Sequence, residues 1–124
     1  MRKAIETILD VEFLVSTFYK KVMSDELLAP KFTNINFEHH LPRIVAFWNM
    51  VLLDGTGYTT NVFDKHVHLQ IDERHFKQWL HYFHATVDEY FEGEKANLAK
   101  QRADVLGYTF QTKLAFLNKE KTNL

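Results

Sequence analysis

Apolar residues recur every three or four positions along most of the chain, a spacing typical of amphipathic helices. The first such stretch follows Asp10, a candidate N-cap. Its apolar positions return to one side at each helical turn: Val11, Leu14, Val15, Phe18 and Val22. Tyr19 lies beside this stripe. The pattern predicts a first helix that buries one face and carries a polar aromatic residue at its edge.

A second helix is predicted from about His39 to Leu53, after a short helical turn and a loop over residues 24–37, broken near Pro30. Its apolar side is formed by Ile44, Phe47, Trp48, Val51 and Leu52. His40 precedes Ile44 by four residues and shares that side. Pro42 is unfavourable there, since proline inside a helix removes one hydrogen bond and costs about 3 kcal/mol. The helix therefore either starts near Leu41 or has a distorted first turn.

Two more helices complete the predicted fold. Asp72 caps the third, which Glu92 and Gly93 end. Its inward face is Phe76, Trp79, Leu80, Phe83, Val87 and Tyr90. The fourth runs from about Glu94 to Asn118, with a stripe of Ala99, Ala103, Leu106, Phe110, Leu114 and Leu117. No segment shows sustained strand alternation, so the fold class is all-α.

Length and composition narrow the classes of protein. A chain of 124 residues predicts one domain, residues 1–124. The net charge of −1 gives no general attraction to nucleic acid or to an anionic membrane. Cysteine is absent, which excludes disulfides and thiolate metal sites, and no apolar run or signal-like N-terminus stands out, so a cytoplasmic location is the default. The 11 phenylalanines suit a large flat cavity as well as a packed core.

Familiar catalytic motifs are missing, which leaves histidine as the candidate chemistry. The sequence has no HExxH, no Glu-x-x-His, no phosphate-binding glycine loop and no serine in a nucleophile elbow. His81 and His84 have a spacing that could hold zinc, but they flank the apolar stripe and are expected at the surface. His75, in the first turn of its helix, is also expected to be exposed.

His66, in the stretch KHVHL, and His40 differ from the other histidines. His40 continues an apolar face, and His66 lies between two helices with aromatic buried sides. A planar macrocycle needs one imidazole on its iron and an apolar surface with a few donors opposite. The alternative is an ordinary helical core filled by Phe18, Trp48, Trp79 and Phe83. Spacing alone leaves both readings open.

The chain resembles a group III truncated haemoglobin. The resemblance rests on VEFLVSTFYKKV (11–22), ELLAPKF (26–32), FEHHLPRIVAFWNMVLLDGTGYTTN (37–61), KHVHL (65–69) and HFKQWLHYF (75–83). These segments cover most of residues 11–91 in the family's order. The resemblance implies a globin-like two-over-two helical sandwich around haem b.

The resemblance also assigns residues to the site. His66 matches the proximal iron ligand, whereas His68 is expected to face elsewhere. On the distal side, Tyr19, His40 and Trp79 match the residues that meet the gas ligand, and His40 is preferred to His39. Further contacts to the haem or its propionates are implied for Phe32, Arg43, Ile44, Phe47, Trp48, Lys65 and Phe83.

The function implied by the resemblance is reversible binding of O₂, NO and CO. The O–H of Tyr19 and the N–H of Trp79 would stabilise the gas, and His40 could donate, gate entry or ligate the iron. That donor set favours NO oxidation to nitrate, or peroxidase-like chemistry, in a monomer served by a reductase. The alternatives are a haem-based sensor or haem-transfer protein, and a helical interaction module without a cofactor.

Overall fold

The computed structural model describes residues 2–33, 36–55 and 72–122, with side chains described as far as residue 112. Within these ranges the chain forms four α-helices, in order α1 (Ile8–Met23), α2 (Phe37–Leu53), α3 (Glu73–Tyr90) and α4 (Glu94–Thr122). A 3₁₀ turn, Ala29–Phe32, lies between α1 and α2. Among the described residues, β-type pairing is limited to an isolated bridge between Lys3 and Phe91. The all-α prediction is confirmed.

Helix α1 begins three residues earlier than predicted. Its N-cap is Thr7, so the prediction of Asp10 as the N-cap is wrong. Asp10 is the third residue of the helix, and its Oδ2 accepts the backbone N–H groups of Glu6 at 2.9 Å and Thr7 at 3.1 Å. An acidic residue in the first turn can thus cap from inside the helix. The five predicted stripe positions are buried, and so is Tyr19.

Helix α2 runs from Phe37 straight through Pro42, which rules out a start near Leu41. Asn36 is the N-cap, and its side chain accepts the N–H of Glu38 at 3.0 Å. Pro42 is exposed, so the Glu38 carbonyl that it leaves without an N–H donor faces the solvent side of the helix. The earlier start matters for the site, because it adds Phe37 to the helix.

Helix α3 is capped as predicted, but the predicted exposure of His75 differs from the structure. The side chain of Asp72 accepts the N–H of Arg74 at 2.9 Å. His75 was expected to be exposed, and that is wrong, because it is only 5% accessible. Its Nδ1 folds back to within 3.0 Å of the backbone nitrogen of Asp72 and joins the cap. The helix ends at Tyr90, before the predicted Glu92–Gly93 stop.

Helix α4 packs on α3 through a face of small residues. Ala96, Ala99, Ala103 and Gly107 are buried. A methyl group added at Gly107 would come within 3.2 Å of Leu80 Cδ1, so glycine permits this close approach. Leu106 is half-buried, as is Phe110. The predicted stripe positions Leu114 and Leu117 lie outside the residues whose side chains are described.

The four helices form two packed pairs. α1 packs against α2, α3 packs against α4, and the pairs meet through α1 with α3 and α2 with α4. This is the predicted two-over-two sandwich. Fully buried side chains, including Leu14, Phe18, Leu52 and Phe83, fill the space between the layers. Within the described ranges, no helix has both the length and the apolar character needed to cross a bilayer.

Candidate functional site

Tyr19, in the C-terminal half of α1, is the centre of a buried aromatic cluster. Its side chain is 6% accessible. Ring centroids of Phe18, Phe37, Phe32 and His40 lie 4.9, 5.6, 6.1 and 6.3 Å from that of Tyr19. α1, the 3₁₀ turn and α2 therefore each contribute rings around one phenol.

Trp79, on α3, brings a polar contact to this cluster. Its indole N–H, which can only donate, is the hydrogen-bonding group that lowers the pKa of the Tyr19 phenol. Burial raises the pKa of Tyr19 well above its usual value, and the bond from Trp79 offsets only part of that rise. The phenol therefore stays protonated at neutral pH.

His40 and His39 point to different environments. His40 is half-buried, its Nε2 is shielded from solvent, and its ring lies 6.0 Å from that of Phe37 and beside Tyr19. His39 is exposed. His40, and not His39, therefore lies beside Tyr19, and its role toward a gas ligand stays a prediction. Ile44, one turn later on the same side, is half-buried against the core.

Behind Trp79, two indoles enclose one phenyl ring. Phe83 stacks on Trp79 at 5.7 Å with an interplanar angle of 12°, and on Trp48 at 4.9 Å and 22°. Phe18 meets both Phe83 and Trp79 edge-on, at 5.2 and 5.4 Å. Phe83 has no accessible surface. Phe83 and Trp48 thus support the orientation of Trp79, while their predicted contact with a haem stays a prediction.

The remaining predicted site residues differ in burial, and some of them lie outside the described part of the chain. Phe32 is buried at the end of the 3₁₀ turn. Phe47 is half-buried and edge-on to Trp48 at 5.3 Å, and Arg43 is exposed. Lys65, His66 and His68 lie outside the described residues. The structure therefore brings Tyr19, Phe32, His40 and Trp79 together, and the role of His66 stays a prediction.

The zinc alternative gains no geometric support. His84 Nε2 lies 2.7 Å from Asp104 Oδ1 on α4, and His81 is exposed. In the described part of the chain, no group of three or more His, Cys, Asp or Glu side chains could hold a metal ion. His84 is better described as part of the contact between α3 and α4.

Sequence reasoning missed Phe37 and a polar network around Asp25. Phe37 precedes His40 by three residues, so placing the start of α2 correctly at Asn36 would have put it on the face of His40. Asp25, Gln78 and Tyr82 meet through hydrogen bonds of 2.9 and 2.7 Å across more than fifty residues of sequence. No local pattern signals such a contact.

Comparison with known proteins identifies what this arrangement is similar to. A family model described as bacterial-like globin matches residues 4–112. The group 3 truncated hemoglobin ctb of Campylobacter jejuni is 30% identical over 108 residues, which cover 82% of this chain and 85% of that protein. The crystal structure of a group III truncated hemoglobin from Campylobacter jejuni matches with a TM-score of 0.83 and 27% identity, covering 92% of this chain and 95% of that one.

Proposed function

The chain belongs to the bacterial-like globin family, as a truncated haemoglobin similar to group III, and we propose that it binds O₂ and other diatomic gases reversibly on haem b. Membership of the family implies haem binding. The observation that carries the gas-binding proposal is the meeting of Tyr19, His40 and Trp79 in one buried cluster.

The residues of this cluster fit one side of a haem. The cluster contains a phenol, an imidazole and an indole surrounded by phenylalanine rings. The apolar rings suit a macrocycle, and the three polar groups suit a small polar ligand. When bound, haem supplies an iron that accepts a diatomic gas. His66 is proposed to hold that iron through a ring nitrogen of its neutral imidazole. Phe32, Ile44, Phe47, Trp48 and Phe83 are proposed apolar contacts, and Arg43 and Lys65 proposed propionate partners.

Tyr19 and Trp79 are proposed to retain the gas. An indole can only donate, and the phenol of Tyr19 is kept protonated by its burial, so both can point a hydrogen toward the partly negative atoms of the gas. Each such bond contributes about 0.5–1.5 kcal/mol net, and two together slow release by roughly tens-fold. Phe18, Phe32 and Phe37 exclude water from the donors. His40 donates, gates entry or ligates the iron when no gas is present.

Slow release favours reaction over delivery. We propose that the protein oxidises NO to nitrate, in which one O₂, one NO and one electron give one nitrate ion. The electron that completes each turnover would come from a reductase, and the working form would be a cytoplasmic monomer. Peroxidase-like activity is the second candidate, because the same polar donors can assist O–O cleavage.

Absorption spectra of purified wild-type and variant proteins test haem binding. We expect a Soret band that shifts on reduction and again on addition of CO. His66→Ala should weaken or abolish haem binding, whereas His68→Ala, two residues away, should leave the spectra unchanged. A wild-type protein that folds but gives no band beyond that of free haem would instead support a helical module without a cofactor.

The reaction is tested separately by stopped-flow mixing of the oxygenated protein with NO. Rapid formation of nitrate in one-to-one yield is expected. Slow or absent nitrate formation in a protein that binds O₂ would remove the NO-oxidation proposal and leave gas binding in place. Rapid exchange of haem to apomyoglobin would instead favour the haem-transfer alternative.

A further inference from the structure

Asp25 gathers four hydrogen bonds just beyond the end of α1. Its Oδ2 accepts the backbone N–H groups of Leu27 at 3.0 Å and Leu28 at 2.9 Å. Its Oδ1 accepts the hydroxyl of Tyr82 at 2.7 Å and the side-chain amide of Gln78 at 2.9 Å. Tyr82 and Gln78 both belong to α3. One half-buried carboxylate thus joins the segment after α1 to the middle of α3.

Both ends of this network adjoin the cluster of Tyr19, Phe32, His40 and Trp79, which we call the gas-side cluster. Leu28 is buried and precedes the 3₁₀ turn that ends at Phe32, whose ring packs on Tyr19 at 6.1 Å. Gln78 is the neighbour of Trp79, whose ring lies 5.4 Å from that of Phe18, and the Phe18 ring lies 4.9 Å from that of Tyr19. The network therefore links the segment that carries Phe32 to the helix that carries Trp79.

Only a carboxylate can accept all four bonds. Each of its oxygens offers two lone pairs and neither carries a hydrogen, whereas an asparagine amide would place an NH₂ group against two of the donors. The hydroxyl of Tyr82 is the first cause that keeps the pKa of Asp25 below its usual value, which supports the ionised form. Bonds to an ionised acceptor are also stronger than neutral ones.

A second polar contact, the ion pair of Lys21 with Glu89, also connects α1 with α3 but lies away from the 3₁₀ turn. Lys21 Nζ lies 2.7 Å from Glu89 Oε2 near the other end of α3, where Glu89 is exposed. Glu89 makes no contact with the 3₁₀ turn among the interactions of the described residues. Removing Glu89 therefore removes a link between α1 and α3 that does not involve the gas-side cluster.

We propose that Asp25, held by Tyr82 and Gln78, is a positioning residue that fixes the Tyr19–Trp79 pair and thereby slows release of the bound gas. Asp25 acts through these residues and does not touch the gas. The proposal rests on the gas-binding function proposed above.

The test is the O₂ release rate of the haem-loaded protein with Asp25→Asn, beside Glu89→Gln as the matched control. Asp25→Asn should speed release by about 3- to 10-fold, the effect of weakening roughly one hydrogen bond to the gas. Glu89→Gln should leave the rate within about twofold, as expected for an exposed ion pair. In a background that carries both Tyr19→Phe and Trp79→Phe, Asp25→Asn should have little further effect, because its action passes through that pair. Equal acceleration in both backgrounds would overturn the proposal.

A readout that does not depend on gas binding separates the two proposals. The indole N–H resonance of Trp79, assigned by its loss in Trp79→Phe, should move in Asp25→Asn and stay in place in Glu89→Gln. Val87→Ala, a buried change farther along α3, controls for loss of stability alone and should not move it. If the resonance moves but no haem binds, the proposed function fails and the positioning role stands. If O₂ binds but neither the rate nor the resonance changes, the positioning role fails alone.

Discussion

Trp79 of α3 and Tyr19 of α1 meet in one aromatic cluster, where both rings contact Phe18 and the indole lowers the pKa of the phenol. Phe83 and Phe18 fix the indole plane by stacking and edge contacts. The two donors are therefore placed before any gas enters. A preorganised pair needs little rearrangement to bind a ligand, which is the physical basis of slow release.

Removing either donor should speed O₂ release. Tyr19→Phe and Trp79→Phe each delete one hydrogen bond worth about 0.5–1.5 kcal/mol, which predicts release that is about 2- to 13-fold faster. Tyr90→Phe, at the other end of α3, is the control and should leave the rate unchanged. Stopped-flow displacement of O₂ by CO measures the rates. Identical rates in wild type and both variants would show that neither donor meets the gas.

Tyr19 should make stability fall at alkaline pH. Its pKa in the folded protein is raised above the unfolded value of about 10. The contribution of the neutral, buried phenol is therefore fully present below pH ~10 and is lost as the pH rises through the folded pKa. Urea unfolding from neutral to alkaline pH should show a steeper decline in the free energy of unfolding for wild type than for Tyr19→Phe. Parallel declines would contradict this.

Phe83 should be one of the most costly residues to truncate. Its ring is fully buried between Trp48 and Trp79, so Phe83→Ala leaves a cavity and should lower the free energy of unfolding by about 3–5 kcal/mol. Tyr108→Ala, at a position 72% accessible, should change it by less than about 0.5 kcal/mol. Chemical denaturation measures both. A loss of below about 1 kcal/mol in Phe83→Ala would mean that the stack is not packed as described.

Pro42 should be a position where substitution stabilises the protein. It lies inside α2 and is exposed, so Pro42→Ala restores the N–H that can bond to the Glu38 carbonyl. The gain is expected to be roughly 1–3 kcal/mol, reduced by the greater freedom of the unfolded chain. His39→Ala, exposed in the same helix, serves as the control. Destabilisation by Pro42→Ala would indicate a specific role for the proline ring.

Periodicity was enough to predict the four described helices and the buried face of α1. The stripe from Val11 to Val22 and the Asp72 cap are both present in the structure, because each depends on neighbours within one or two turns. Helix α2 starts before the predicted His39, because Asn36 caps it and the helix continues through Pro42. The burial of His75 was not predicted, because a side chain in the first turn can fold back onto the N-cap. The spacing of apolar residues carries no information about such a contact.

The site could be predicted only in part, for a related reason. Family resemblance named Tyr19, His40 and Trp79, and the structure brings these three together. The network of Asp25 with Tyr82 could not be anticipated, because its members are 57 positions apart and match no periodic pattern. Contacts of that kind depend on how whole helices pack, so only the three-dimensional structure reveals them.

The C–O stretching band of the reduced, CO-bound protein tests the central claim most directly, since hydrogen bonds to the bound gas lower its frequency. We expect a low-frequency band in wild type that moves to higher frequency in Tyr19→Phe and in Trp79→Phe, and farthest in the double variant. A band that stays in place in all three variants, while CO still binds, would contradict the placement of Tyr19 and Trp79 against the gas.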